Sequence, residues 1–120
     1  MELTLLLGVV VLHALFMVLE MFPWGSPVLL GIVSKTLPKN EPFTKDQRRL
    51  VATVVHNAGI YNGIIAGGLL WAALADPLNR DVARVLLAGA AVAGVFGTVT
   101  LKSPFTALQA VLGIIGLVRI

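Results

Sequence analysis

Four long apolar stretches dominate this chain of 120 residues, of which 58% are hydrophobic and 12% are charged. A helix of about 20 apolar residues crosses the hydrocarbon core of a bilayer, which is about 30 Å thick. The stretches therefore predict an all-α, transmembrane four-helix bundle that forms a single integral membrane domain over residues 1–120. The predicted spans are residues 3–22, 50–75, 82–101 and 104–118.

Turn and capping signals mark the ends of the first two spans. Pro23 ends the first span because proline lacks a backbone donor, and Trp24 is typical of the membrane interface. Thr44 followed three residues later by Gln47 forms a capping-box pattern that opens the second helix. Residues 25–41 contain prolines and an apolar run too short to span, which predicts an interfacial or re-entrant first loop.

Basic residues lie mainly on one side of the predicted membrane. That side carries Lys35, Lys39, Lys45, Arg48, Arg49 and Lys102. The other side carries Arg80, Arg84 and Arg119. The positive-inside rule then makes the first loop cytoplasmic and places both termini outside, and we expect a bacterial plasma membrane. A net charge of +3 beside the membrane fits a lipid bilayer as partner and predicts no nucleic acid.

Polar side chains inside the apolar spans are the candidate functional residues. Such groups are costly in hydrocarbon, so they mark either structural contacts or functional sites. His13 and Glu20 share a face of the first span, about 10 Å apart along the helix axis. The second span carries Asn57, Tyr61 and Asn62. We expect Asn57 and Tyr61 to bridge His13 and Glu20, because they offer both donors and acceptors.

We interpret these side chains as a polar intramembrane pocket that opens toward the first loop. Glu20 would carry the titratable charge while the amides and the phenol orient a small molecule or a proton-linked solute. The predicted ligand-binding residues are Glu20, Asn57, Tyr61, Asn62, His13, Trp24 and His56. Transport is one use of such a pocket, and four short spans would then require a homo-oligomer.

A structural interpretation competes with this pocket. Glu20 lies near enough to the interface to reach water, Asn57 and Asn62 can bridge helices, and Tyr61 can satisfy its own hydroxyl. A lone histidine such as His13 is more often neutral and satisfied than a proton carrier. His56 would then face another helix or the lipid headgroups.

Small residues recur at every fourth position on two spans. They are Gly59, Gly63 and Gly67 on the second span and Gly89, Ala93 and Gly97 on the third. This spacing lets a neighbouring backbone approach closely. It predicts tight packing within the bundle rather than a flexible gate or a homodimer seam.

Several chemistries are disfavoured by composition and spacing. The chain has no cysteine, which excludes disulfides and thiolate sites. His13, Met17 and Glu20 share a face, but this spacing is common in helices, so we predict neither a metal nor a cofactor. Catalysis is disfavoured because no serine accompanies a histidine within a span. Two further hypotheses are an accessory subunit of a larger membrane complex and a membrane enzyme acting on a lipid or quinone.

Two motifs add a family resemblance. Residues 19–27 read LEMFPWGSP and residues 57–63 read NAGIYNG, with GGLLW following at 67–71. Together they resemble a family of small four-span bacterial and fungal membrane proteins, domain of unknown function 1304. The matching residues are Glu20, Phe22, Trp24, Pro27, Asn57, Gly59, Tyr61, Asn62 and Gly63.

The resemblance covers most of the chain, with two departures. A glutamine commonly stands where this chain has Ala58, and the first loop is often shorter in the family. The resemblance implies a four-span architecture and the position of the polar residues. It implies no reaction, since the family has no assigned biochemical role.

Overall fold

The computed structural model describes residues 2–22, 30–31 and 43–120, and in these ranges the regular structure is helical. The helices are α1 (Glu2–Met21), α2 (Lys45–Leu74), α3 (Arg80–Leu101) and α4 (Pro104–Arg119). The first three are long and apolar enough to cross a membrane, whereas α4 is a shorter apolar helix. The predicted all-α, four-helix architecture is therefore confirmed for an integral membrane protein. Trp24 and, apart from residues 30–31, the predicted re-entrant segment lie outside the described residues.

Side-chain caps fix where α2 and α4 begin. The Thr44 side chain accepts a hydrogen bond from the Gln47 backbone, and the Gln47 side chain accepts one from the Thr44 backbone at 2.9 Å. This reciprocal pair is the predicted capping box. At the start of α4, Ser103 Oγ accepts from the Phe105 backbone at 3.2 Å, and Pro104 occupies the first turn.

The helices pack as two antiparallel pairs. Helix α1 lies along α2 and α3 lies along α4, and the pairs meet mainly through α2 with α3 and α1 with α4. We call the end that holds Glu2 and Ile120 the terminal end, and the opposite end, where α2 and α4 begin, the loop end. At the terminal end, Arg80 pairs with Glu2 at 3.0 Å, and Arg84 donates to the Ile120 carbonyl at 2.8 Å. These contacts join α1, α3 and the end of α4.

The hydrophobic core is concentrated toward the terminal end. Leu6 and Val9 of α1, Leu69 of α2 and Leu87 of α3 are fully buried there. Small residues complete the same cluster, namely Ala66, Ala72 and Ala83. These side chains fill the space between the helix pairs toward this end. A groove of about 440 Å³ also lies there between α1 and α4, lined by Thr4, Leu5, Gly8, Leu112, Ile115 and Arg119.

Glycines set the distance between α3 and α4. A Cβ atom added at Gly94 would lie 2.7 Å from the Ala110 Cα, and one added at Gly113 would lie 2.9 Å from the Ala91 Cα. Neither distance is compatible with a real side chain. The two backbones therefore approach as closely as small residues permit, the packing typical of membrane helices.

The small-residue pattern predicted from sequence is followed only in part. A Cβ at Gly59 or Gly63 would collide with Met21 or Met17 of α1, so these two glycines do face a packed neighbour. Gly67 is exposed with nothing within 4 Å of such an atom. Gly89 is likewise open. Gly67 and Gly89 lie at levels where the helices are packed, since their neighbours Ala66, Leu69 and Leu87 are buried. They are open because a repeat of four residues turns about 40° around the helix at each step and so leaves the packed face.

Candidate functional site

An interhelical hydrogen bond joins the end of α1 to the middle of α2. Asn62 Nδ2 donates to Glu20 Oε2 at 2.7 Å, and both residues are half-buried. A Cβ at Gly59 would lie 3.2 Å from the Glu20 Cβ and 2.9 Å from the Met21 Cγ. Glycine at position 59 therefore keeps α1 close enough to α2 for this short bond to form.

The bonded pair borders a cavity of about 360 Å³ to which all four helices contribute. Its described polar lining consists of Glu20, Tyr61, Asn62, Ser103, Thr106 and Gln109. Its described apolar lining consists of Phe16, Ala58, Ile65, Ala93, Leu101 and Phe105. The cavity lies toward the loop end, away from the core cluster, and its size is typical of small-molecule sites.

Gln109 is one of three polar residues of the lining, with Ser103 and Thr106, that the sequence did not predict. Its side chain is only 7% exposed, yet it has no hydrogen-bond partner among the residues that the structure describes. Since it borders the cavity, its amide is available to a molecule bound there. The sequence carries a signal for Gln109, because it is a single amide inside the short apolar fourth span.

Glu20 is the charged side chain of the cavity. Within residues 2–22, 30–31 and 43–120, no lysine, arginine or histidine lines the cavity, and no cation pairs with this carboxylate. The basic residues that begin α2 at the loop end, Lys45, Arg48 and Arg49, are exposed. The carboxylate is therefore held by one amide donor and has a second oxygen without a described partner.

His13 lies apart from this cavity. It is completely buried in α1, where Nδ1 donates to the Val9 carbonyl at 3.0 Å, and its ring is tilted against Phe16 with centroids 6.1 Å apart. Its Nε2 atom has no partner in the described part of the chain. The predicted bridge from His13 through Asn57 or Tyr61 to Glu20 is not formed in the described structure, where Glu20 accepts from Asn62 and His13 bonds the Val9 carbonyl.

The remaining predicted site residues are dispersed. Tyr61 lines the cavity although its side chain is 68% exposed, which places it at the rim. Asn57 and His56 are exposed and do not line the cavity. Asn57 and Asn62 point apart because five residues correspond to about 140° of rotation around a helix. The structure thus brings Glu20, Tyr61 and Asn62 together, and ligand contact by any of them stays a prediction.

The ionisable groups offer no clear metal site. Among the described residues, no group of three or more histidine, cysteine, aspartate or glutamate side chains lies close enough to hold a metal ion. The cavity instead offers a carboxylate, two amides, a phenol and two hydroxyls beside aromatic rings. Such a lining can bind and orient a molecule by hydrogen bonds and apolar contact.

Comparison with known proteins gives a family and no annotated relative. Residues 7–120 match the model of a family described as protein of unknown function (DUF1304). The matched region includes every described residue that lines the cavity. No curated protein and no solved structure matches the chain.

Proposed function

We propose that this chain, which belongs to the DUF1304 family of proteins of unknown function, binds a small molecule in the cavity at its loop end. The observation that supports this most strongly is the convergence of Glu20, Asn62 and Gln109 on one cavity. They come from α1, α2 and α4 respectively. Three separate helices therefore supply polar groups to the same volume.

The unpaired amide of Gln109 favours contact with a ligand over a purely structural role. The Gln109 amide borders the cavity and has no hydrogen-bond partner in the described part of the chain. Packing between α3 and α4 does not require an amide at this position, since glycine and alanine contacts bring these helices together. A bound molecule could therefore hydrogen-bond to an amide that the protein itself leaves unpaired.

The shape and lining favour an amphiphilic molecule. Phe16 and Ile65 provide apolar wall, whereas Glu20 and Asn62 provide polar contacts. Tyr61 and Phe105 line the cavity and are also exposed on the bundle surface, so the cavity has an open side. A ligand could therefore keep an apolar part against the rings while its polar part hydrogen-bonds to the amides and the carboxylate.

Native mass spectrometry of the protein released from detergent tests this function. We expect wild-type protein to retain a small molecule of defined mass and Glu20→Gln to lose most of it. Glu2→Gln is the matched control, because Glu2 lies on the same helix but at the terminal end, where it pairs with Arg80. This control should retain the molecule as wild type does.

The same spectra record the number of subunits, which separates ligand loss from a change of assembly. Equal retention by wild type and Glu20→Gln would contradict the proposal. So would absence of a specific adduct from wild-type protein, together with unchanged assembly and thermal stability in Glu20→Gln. In that case Glu20 and Asn62 would act only as a helix contact.

A further inference from the structure

We infer that the ligand of this cavity is a small organic cation that carries N–H groups, an inference that rests on the proposed binding function. The lining places one carboxylate, one unpartnered amide and three aromatic side chains around a single volume. Each of these groups is suited to a positively charged nitrogen.

The negative charge of Glu20 favours a cationic ligand. An ionised carboxylate that is partly removed from water is stabilised by an opposite charge or by additional hydrogen bonds. Glu20 receives one described hydrogen bond, from Asn62, and no cation pairs with it in the described part of the chain. A cationic ligand would supply the missing charge, whereas an anionic ligand would add repulsion.

The free hydrogen-bond acceptors of the lining favour a ligand with several N–H groups. Asn62 donates to Oε2 of Glu20, which leaves Oε1 free to accept from a ligand. Gln109 adds a carbonyl oxygen on the opposite pair of helices, and this oxygen is also an acceptor. An ammonium or amidinium group carries several N–H donors and can use both acceptors, which an alcohol with one donor cannot do.

The aromatic rings of the lining also favour a cation. Phe16, Tyr61 and Phe105 all line the same cavity as Glu20. The faces of such rings attract cations, and the attraction is stronger where water is excluded. Rings and carboxylate therefore favour the same sign of ligand charge.

Three small probes of similar shape and different charge test this inference: benzylammonium, benzyl alcohol and benzoate. Binding is measured by ligand-observed NMR with the protein in phosphatidylcholine nanodiscs, and empty nanodiscs give the background from partition into lipid. We expect wild-type protein to bind benzylammonium at least about tenfold more tightly than benzyl alcohol, the gain typical of a charge-assisted hydrogen bond, and benzoate least of all.

Two variants locate the preference. Glu20→Gln should bring the affinities for benzylammonium and benzyl alcohol to within about twofold of each other, while Glu2→Gln keeps the tenfold preference. Gln109→Met removes the amide at nearly constant volume and leaves the Glu20 charge in place. It should weaken benzylammonium binding several-fold while the cation is still preferred over the alcohol.

The outcomes separate the ligand class from the binding function. Saturable binding of benzyl alcohol or benzoate that equals or exceeds that of benzylammonium would overturn the cation inference and leave the binding function standing. A cation preference that persists in Glu20→Gln would overturn it too. If none of the probes binds above the empty-nanodisc background, both the inference and the proposed function are contradicted.

Discussion

Two buried polar side chains of this protein have opposite surroundings. Gln109 borders a cavity, so its amide can meet a ligand, whereas His13 is enclosed by protein. The Nδ1 atom of His13 bonds the Val9 carbonyl, and in the neutral ring Nε2 is then an acceptor without a described partner. At the residue scale, burial of a polar side chain alone does not indicate a ligand-binding site. The side chain must also be accessible from a cavity, as that of Gln109 is.

Replacing His13 by leucine should stabilise the protein. The change removes an unsatisfied acceptor and fills a similar volume with an apolar side chain, so the free energy of unfolding should rise by about 1 kcal/mol. Reversible unfolding in mixed detergent, followed by circular dichroism, measures it. A decrease of that size would instead mean that Nε2 has a partner in the folded protein.

Two asparagines on α2 should respond differently to the same substitution. Asn62→Leu removes the 2.7 Å bond to Glu20, so the free energy of unfolding should fall by about 1 kcal/mol, typical of interhelical hydrogen bonds in membranes. Asn57→Leu is the control, because Asn57 is exposed, and its effect should be much smaller. The same unfolding titration compares them, and equal effects would contradict the structure.

The sequence identified Glu20 and Asn62 as polar residues within apolar spans but could not show that they form a hydrogen bond with each other. A polar residue in an apolar run is visible from composition and hydropathy alone. Which of Asn57 and Asn62 meets α1 depends on how α2 is rotated, and the contacts of Gly59 and Gly63 with Met21 and Met17 show that orientation. Long-range packing of this kind leaves no local signal in the chain.

At the scale of single helices, caps and close contacts explain the boundaries and the spacing. The capping box at Thr44 and the proline at position 104 are local, so the sequence predicted both helix starts. The contact between Gly94 and Ala110 depends on how α3 faces α4. Glycine spacing predicted close packing in general, but the face that packs is known only from the folded pair.

Two glycines of α3 should therefore give opposite results when replaced by alanine. Gly94→Ala places a methyl group against the Ala110 backbone, and this overpacking should lower the free energy of unfolding by about 1–3 kcal/mol. Gly89→Ala meets nothing within 4 Å and should leave stability equal or slightly higher, because alanine favours helix. Unfolding of both variants under identical detergent conditions tests this, and destabilisation by Gly89→Ala alone would contradict the assigned packing.

At the scale of the whole molecule, side chains fill the space between the helix pairs toward the terminal end, and a cavity lies between the pairs toward the loop end. A groove between α1 and α4 lies near the terminal end. Leu6, Leu69 and Leu87 fill the space between the helix pairs at the first of these ends. Glu20, Asn62 and Gln109 border the space at the second. The fully buried leucines thus lie apart from the cavity in which we propose that a ligand binds.

Adjacent leucines on α2 test where the core lies. Leu69 is fully buried whereas Leu70 is 39% exposed. Leu69→Ala should lower the free energy of unfolding by about 2–3 kcal/mol through lost packing, and Leu70→Ala should have a clearly smaller effect. A larger effect of Leu70→Ala would contradict the structure, because it would mean that the core packs against the face of α2 that carries Leu70.

The orientation in the membrane can be tested because the chain has no native cysteine. We expect the loop end to be cytoplasmic by the positive-inside rule. A cysteine at Lys45 should then resist a membrane-impermeant maleimide in intact cells, whereas one at Asp81 should react. Both should react after the membrane is opened, and the reverse pattern in intact cells would contradict the orientation.

The most direct test of the binding site uses the side-chain amide signals of this protein in a two-dimensional nitrogen–proton NMR titration with benzylammonium. We predict that the Asn62 and Gln109 signals move together with a single dissociation constant, while the exposed Asn57 signal stays in place. Stationary Asn62 and Gln109 signals at saturating probe, or equal movement of all three, would show that the cavity does not bind the probe.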